Sequence, residues 1–168
     1  MNQISQLAER TLTLGRNEFL KVGGSIDTNV YYIESGSLKI YVLDDFEERI
    51  IRFGYADNII VSLDSFFTEK PSDLYIQALK KTELKVISKK KVTQFLESET
   101  NRRFWISELE KLIVQQHERE IDLLTNSPRE RYRRVKRRSP QLFQEIPNKH
   151  IASYLRMSPE TLSRLKKS

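Results

Sequence analysis

The segment VYYIESGSLKIY, residues 30–41, places two runs of aliphatic, aromatic and β-branched residues on either side of the turn-forming sequence ESGS. Short runs of this composition, bounded by Gly, Ser, Asn, Asp or Pro, are typical of β-strands. The pattern recurs on both sides of the segment and predicts strands at 19–22, 30–33, 38–43, 49–53, 59–63, 74–79 and 84–87. Because no long helical pattern interrupts these strands, residues 11–87 are predicted to form an all-β sandwich or barrel.

The next region, residues 90–124, changes to the three-to-four-residue apolar spacing of an amphipathic helix. Residues 100–125 contain neither proline nor glycine, which predicts a helix of about 25 residues, near 38 Å long. A helix of this length in so small a chain is better explained by packing against a second copy than by packing on its own domain. The residues expected at that dimer contact are Ile106, Leu109, Ile113, Gln116 and Leu124.

The charge of the chain is unevenly distributed. Residues 128–168 hold 12 Lys and Arg against three acidic residues, a balance of +9, whereas the remaining residues hold 17 basic and 20 acidic residues. Such asymmetry favours a polyanionic partner, with nucleic acid as the leading candidate, and the alternative is a solvated basic face. The sequence TNSP at 125–128 predicts a hinge. The arginine-rich helix at 129–138 is expected to contact a DNA backbone, but helical spacing spreads its arginines around the axis, so not all of them can face DNA.

The stretch NKHIASYLRMSPETLSRLKK, residues 148–167, has the spacing of a helix-turn-helix. The small residue Ala152 lets two helices approach closely, and the second helix is predicted to begin with Ser158 as its N-cap and Pro159 at its first position. Arg156 stands in the turn, where glycine is usual, so a left-handed conformation there would cost about 1 kcal/mol. A helical hairpin that serves only for packing is the structural alternative.

The start of the second helix is expected to enter a major groove. Arg164 could pair with guanine, Glu160 could accept a hydrogen bond from a cytosine amino group, and Ser163 could contact a base or a phosphate. Phosphate contacts are expected from Lys149 and His150 in the first helix and from Ser158, Thr161 and Lys166 in the second.

These motifs resemble those of the cyclic-AMP receptor protein and fumarate–nitrate regulator (CRP/FNR) family. SPETLSR at 158–164, preceded by HIASYL, is similar to the DNA-reading motif of that family. Residues 30–41 resemble its β-roll hairpin, and IQAL at 76–79 resembles the strand that closes its ligand pocket. The resemblance covers nearly the whole chain in the family's order.

The resemblance implies an α+β protein with a cyclic-nucleotide-binding-like β-roll (jelly roll) at 1–98, a long dimerisation helix and hinge at 99–126, and a helix-turn-helix DNA-binding domain at 127–168. It implies a homodimeric bacterial transcription regulator, cytoplasmic, that binds a palindromic site on double-stranded DNA. Glu160, Ser163 and Arg164 match the family's base-reading positions. RNA polymerase is a further candidate partner.

The ligand site departs from the family pattern. Val61-Ser62 stands where the family has Gly-Glu, and Ser72-Asp73 stands where it has Arg-Ser. A cyclic nucleotide needs a carboxylate for its ribose and an arginine for its phosphate, so we expect no tight binding of cyclic AMP. An unidentified small-molecule effector could occupy a pocket lined by Phe53, Val61, Leu63, Ser72, Tyr75 and Gln77, although these residues could equally fill the core of the roll.

Several other function classes are disfavoured by composition. The chain has no cysteine and only two histidines, His117 and His150, which argues against metal sites, cysteine-held iron–sulfur clusters and cysteine nucleophiles. We therefore expect no catalytic residues and no cofactor. The alternatives are a cupin-type small-molecule-binding enzyme, which would need histidines within the roll, and a non-specific nucleic-acid-binding protein. The N-terminus lacks the pattern of a secretory signal, and no apolar run is long enough for a membrane span, so no membrane partner is expected.

Overall fold

The computed structural model describes residues 3–168, in which a first compact unit ends at Gln94 and a second comprises Phe95–Ser168. The first unit is built mainly of strands, preceded by a short 3-10 helix. Its elements are Gln3–Leu7 (3-10), β1 Arg10–Leu14, β2 Phe19–Lys21, β3 Val30–Ser35, β4 Ser37–Asp44, β5 Glu47–Tyr55, β6 Ile59–Val61, α1 Leu63–Thr68, β7 Tyr75–Ala78 and β8 Thr82–Ile87, with α2 Lys89–Phe95 at the boundary.

The second unit is helical. A helix of 26 residues, α3, is followed by four shorter helices. Their bounds are α3 Glu99–Leu124, α4 Pro128–Arg138, α5 Leu142–Glu145, α6 Asn148–Tyr154 and α7 Pro159–Lys167. None of the helices in the described part of the chain is long and apolar enough to cross a bilayer.

The strands form two four-stranded antiparallel sheets, with the orders β1-β8-β3-β6 and β2-β7-β4-β5. Alternate residues of each sheet point toward the other and form one apolar core. Its members include Tyr31 and Ile33 of β3, Leu38 and Ile40 of β4, Ile76 and Ala78 of β7, and Leu84 and Val86 of β8. The expected all-β architecture is therefore confirmed as an antiparallel β-roll.

The strands predicted at 30–33 and 38–43 are present, but they do not pair with each other as a hairpin. β3 pairs with β6 and β8, whereas β4 pairs with β5 and β7, so the chain passes from one sheet to the other between them. Gly36 makes this crossing with φ +95°, and a side chain there would collide with Thr82 and with the Lys81 carbonyl. The expectation of a hairpin at 30–41 was wrong, because turn residues mark a reversal without specifying the pairing.

Other elements also differ from the sequence prediction. β1 and α5 were not predicted as elements, and the strand expected at 59–63 ends at Val61. Leu63 begins α1 instead, and the next residue, Asp64, accepts a hydrogen bond from the N–H of Ser65 in the first turn. The long helix agrees with its prediction to within about one residue at either end.

Candidate functional site

The helices α6 and α7 form a closely packed pair within the second unit. Ile151 and Ala152 of α6 and Leu162 of α7 are buried. Ser158 caps α7, since its hydroxyl accepts a hydrogen bond from the N–H of Thr161 at 3.2 Å, and Pro159 occupies the first turn. The predicted cap and helix start are confirmed.

The turn between these helices passes through Arg156 in the left-handed conformation, with φ +52°. The N–H groups of Arg156 and Met157 donate to the carbonyls of Ser153 and Ala152, both at 3.0 Å, and so close the end of α6. The left-handed turn expected at Arg156 is therefore present, in a residue that has a Cβ atom.

The predicted base-reading residues Glu160, Ser163 and Arg164 are all exposed on α7, on the side away from buried Leu162. Arg164 Nη2 lies 3.4 Å from the Thr161 hydroxyl. Hydrogen bonds from its own backbone N–H and then from Ser158 hold the pKa of Glu160 below its ordinary value. Their assignment as base readers stays a prediction.

Four of the predicted phosphate contacts lie at the starts of α6 and α7, and the fifth, Lys166, lies in the last turn of α7. Lys149, Ser158 and Lys166 are exposed, whereas His150 and Thr161 are half-buried. The Lys166 ammonium donates to Asn148 Oδ1 at 2.7 Å and so joins α7 to the beginning of α6. The structure thus brings these five residues to the same helical pair as the base-reading face, and their role stays a prediction.

Two arginines of helix α4 are already paired with acidic side chains of α3. Arg134 donates to Glu118 at 2.8 Å and to Asp122 at 3.0 Å, and Arg138 also pairs with both carboxylates. The side chain of Asp122 has no exposed area. These guanidinium groups hold α4 to α3, so they are among the arginines that do not face DNA, and contact of the remaining α4 arginines with a DNA backbone stays a prediction.

Arg131 is likewise buried, and its guanidinium bridges two segments of backbone. It donates to the carbonyls of Thr125 at 2.6 Å and Asn126 at 2.9 Å, which follow α3. It also donates to the carbonyls of Leu155 at 2.8 Å and Arg156 at 2.9 Å, in the turn between α6 and α7. One side chain therefore ties the predicted hinge to the turn.

Sequence reasoning did not identify the acidic partners of α4. Glu118 and Asp122 are spaced by four, as are Arg134 and Arg138, so each pair lies on one helix face. This matched spacing of opposite charges on both sides of the hinge is the sequence signal that could have found the cluster. Nearby on α3, the buried Arg119 guanidinium stacks on Tyr154 of α6, 3.6 Å from the ring centroid.

The predicted effector-pocket residues lie in the β-roll. Phe53 and Ser72 are buried, while the other four, Val61, Leu63, Tyr75 and Gln77, are half-buried. Tyr75 and Gln77 alternate along β7 with the core residue Ile76, so they face away from the core between the sheets. That all six line one effector pocket stays a prediction.

The two positions at which the family's acidic and basic residues are replaced are in contact. The hydroxyl groups of Ser62 and Ser72 are 3.2 Å apart, and Ser62 also donates to Asp64 Oδ1 at 2.8 Å. Burial opposes ionisation of Asp64, yet the hydrogen bonds from Ser72 and Ser62 lower its pKa below the ordinary value. A short polar network thus lies where the resemblance implies a carboxylate–arginine pair.

A buried lysine supports the same segment. Lys21 Nζ donates to the carbonyls of Ser72 at 2.8 Å, Leu74 at 2.9 Å and Val22 at 3.2 Å. Burial lowers the pKa of this ammonium. Since its three donors are used within the fold, Lys21 does not supply the cation that a nucleotide phosphate would need.

The expected dimer residues lie along α3. Ile106, Ile113 and Leu124 are 54%, 68% and 81% exposed, Gln116 is exposed, and Leu109 is half-buried. The helix therefore carries an apolar stripe with large exposed side chains, and its pairing with a second copy stays a prediction.

Comparison with known proteins agrees with this architecture. The family model described as the cyclic nucleotide-binding domain matches residues 11–99. No curated protein sequence matches the chain.

Solved structures of regulators share the fold. FixK2 from Bradyrhizobium japonicum has a TM-score of 0.77 at 15% identity, over 94% of this chain and 82% of its own. The c-di-GMP-responsive global regulator CLP from Xanthomonas campestris has a TM-score of 0.69 at 14% identity, over 98% and 87%. The sensor domain of the transcriptional regulator DNR from Pseudomonas aeruginosa has a TM-score of 0.55 at 24% identity, over 70% and 78%.

The structural neighbours thus include regulators of the CRP/FNR type, as the sequence resemblance predicted. The family match spans just over half of the chain and coincides with the β-roll. The chain therefore belongs to the cyclic nucleotide-binding domain family.

Proposed function

We propose that this protein is a sequence-specific DNA-binding transcription regulator that acts as a homodimer. The observation that carries the proposal is the exposed face of α7, where Glu160, Ser163 and Arg164 stand on a capped helix whose opposite side packs through Leu162. A helix presented in this way, with side chains that suit base edges, fits a major groove. The balance of +9 over residues 128–168 supports attraction to the DNA backbone.

Dimerisation through α3 is part of the proposal. Its 26 residues span about 39 Å, and its exposed apolar stripe would be covered by the same stripe of a second copy. A two-fold dimer would present two copies of α7 to half-sites about 34 Å apart, one turn of B-DNA. The expected operator is therefore an inverted repeat.

The β-roll is proposed to be the regulatory part of the molecule, responding to an effector other than cyclic AMP. The Ser62–Ser72 contact and the engaged Lys21 support the exclusion of cyclic AMP, because neither offers a guanidinium to a phosphate. An effector at the roll would act by shifting the hinge that follows α3. RNA polymerase is the proposed partner for changing transcription.

The experiment that tests this function is selection of bound duplexes from a random pool, at two salt concentrations. The expected result is recovery of one inverted repeat at both concentrations. The exposed basic residues would also permit a second function, binding to nucleic acid without sequence preference. Binding that recovers no common sequence and disappears at the higher salt would overturn the first proposal in favour of the second.

A further inference from the structure

The turn between α6 and α7 contains an arginine in an unfavourable backbone conformation. Arg156 has φ +52°, a region in which the Cβ atom of an L-residue is crowded and which glycine enters without this penalty. Strained residues of this kind persist when the surrounding structure holds them, and they concentrate at functional sites. The question is what the arginine side chain contributes that glycine would not.

The strain at Arg156 is maintained by Arg131. The four backbone carbonyls that accept hydrogen bonds from the buried Arg131 guanidinium include that of Arg156 itself and that of the preceding Leu155. The other two, at Thr125 and Asn126, fix the guanidinium from the opposite side. Because its N–H groups donate to both pairs of carbonyls, Arg131 fixes the turn between α6 and α7 relative to the end of α3.

The side chain of Arg156 is exposed and leaves the chain two residues before the α7 cap residue Ser158. It therefore emerges just before α7, in the turn that joins the recognition helix to the helix crossing the sugar–phosphate backbone. A guanidinium offers paired N–H donors that match two phosphate oxygens. Glycine would satisfy the turn but could make no such contact.

We propose that Arg156 binds a DNA phosphate and that Arg131 is its positioning residue. The inference rests on the proposed DNA-binding function and adds two residues to it. Arg131 acts without touching DNA: it holds the left-handed turn so that the Arg156 side chain points outward beside the base-reading helix. Because the contact is to phosphate, it adds affinity at every sequence and leaves the choice of bases unchanged.

The test uses the full chain and the duplex recovered by selection, with three substitutions at one position. Arg156→Gly and Arg156→Asn both tolerate a left-handed turn and remove the charge, whereas Arg156→Lys keeps it. Because a dimer carries two copies of Arg156, we expect the first two to weaken binding at 0.1 M salt about fivefold for each copy and to reduce the slope of log affinity against log salt by about 2. Arg156→Lys should keep the slope, and all three should select the same sequence.

The outcomes separate this proposal from the function on which it rests. If the unchanged chain selects no duplex, the proposed function fails and this inference fails with it. If selection succeeds but Arg156→Gly and Arg156→Asn keep the affinity and slope of the unchanged chain, only the role of Arg156 is overturned. Arg156→Gly should also raise the denaturant midpoint of unfolding, since the strain is relieved, so lost affinity cannot be attributed to lost folding.

The role of Arg131 is tested by combining Arg131→Lys with Arg156→Gly. A lysine keeps the charge but cannot donate to four carbonyls in two directions. If Arg131 acts through Arg156, Arg131→Lys should weaken DNA binding in the unchanged background and have little further effect beside Arg156→Gly. Equal losses of affinity in both backgrounds would show that Arg131 acts only on folding and would overturn its positioning role.

Discussion

Arg164 is the residue at which a single substitution should change sequence preference. Its guanidinium is exposed on α7, next to Thr161, where it can reach the paired acceptors of a guanine. Arg164→Ala should weaken binding to the selected duplex by roughly 1–3 kcal/mol and relax preference at one base position, symmetrically in each half-site. Repeating the duplex selection with the variant measures both effects.

Lys167→Ala is the matched control for Arg164→Ala, since Lys167 is also an exposed cation on α7. Loss of this charge should weaken all duplexes alike and leave the selected sequence intact. A variant at Arg164 that still selects the unchanged motif would show that this side chain contacts phosphate or solvent and does not read a base.

At the scale of single residues, the sequence predicts helix caps and turn conformations, because these depend on local geometry. The cap at Ser158 and the left-handed turn at Arg156 follow from rules that involve only a few neighbouring residues, and both are present. Arg131 could not be assigned in this way. Its four carbonyl partners come from segments up to 25 residues away, which only the packed structure brings together.

Helix α4 illustrates the corresponding limit at the scale of an element. The sequence predicts its existence and both of its ends, because Ser127 and Pro128 start it and Ser139-Pro140 follows it. A run of arginines is usually solvated or bound to a polyanion, yet those on one face of α4 pair with α3. Charge patterning gives the net field of a helix but does not identify which charges already have partners.

The pairing of α4 with α3 predicts that two adjacent arginines have different effects on stability. Arg138→Met removes one of the two guanidinium partners of fully buried Asp122, and it should lower the free energy of unfolding by about 1–2 kcal/mol. The loss should stay moderate because Arg134 remains beside Asp122 and because Arg138 is partly exposed. Denaturant unfolding followed by circular dichroism measures the change.

The control is Arg137→Met, the next residue on the same helix, whose side chain is exposed. It removes an equal charge without breaking the contact to Asp122, so the denaturant midpoint should move little. Equal destabilisation by the two variants would contradict the view that the ion-pair cluster holds α4 to α3.

The strands show the same division between local pattern and pairing. Alternation and turn residues predict where most strands lie, because each strand reads as a short apolar run. They cannot predict that β3 and β4 belong to different sheets, since the choice depends on which strands elsewhere in the chain complete each sheet. Leu63 was assigned to a strand for a related reason: its apolar side chain fits a strand end and a helix start equally well.

At the scale of the whole molecule, we expect the β-roll to have the fold of a cyclic nucleotide-binding domain but not to bind cyclic AMP. We expect no micromolar binding of cyclic AMP, because the two serines offer neither a carboxylate for the ribose nor a guanidinium for the phosphate. Calorimetric titration should give no saturable heat, and millimolar cyclic AMP should not raise the melting temperature. Saturation at micromolar concentration would contradict this prediction, and a protein known to bind cyclic AMP serves as the positive control.

The proposed binding to an inverted repeat depends on the dimer predicted along α3. A substitution at Ile113 should disrupt this dimer. The Ile113 side chain is 68% exposed in a single chain, so an aspartate there should cost the monomer little stability. At the centre of a two-fold contact it would place two carboxylates in an apolar stripe. Ile113→Asp should therefore sediment as a monomer at concentrations where the unchanged chain is a dimer.

Loss of the dimer should then appear in DNA binding. Two half-sites bound by one dimer benefit from the high effective concentration of the second helix, so Ile113→Asp should bind the inverted repeat about a hundredfold more weakly and favour it no more than a single half-site. Gln115→Asp is the control, because position 115 is exposed and lies about 200° around the helix from 113. If the dimer survives Ile113→Asp, or if Gln115→Asp disrupts it equally, the dimer contact does not lie on the exposed apolar stripe of α3. The stripe would then not set the spacing of the two half-sites in the operator.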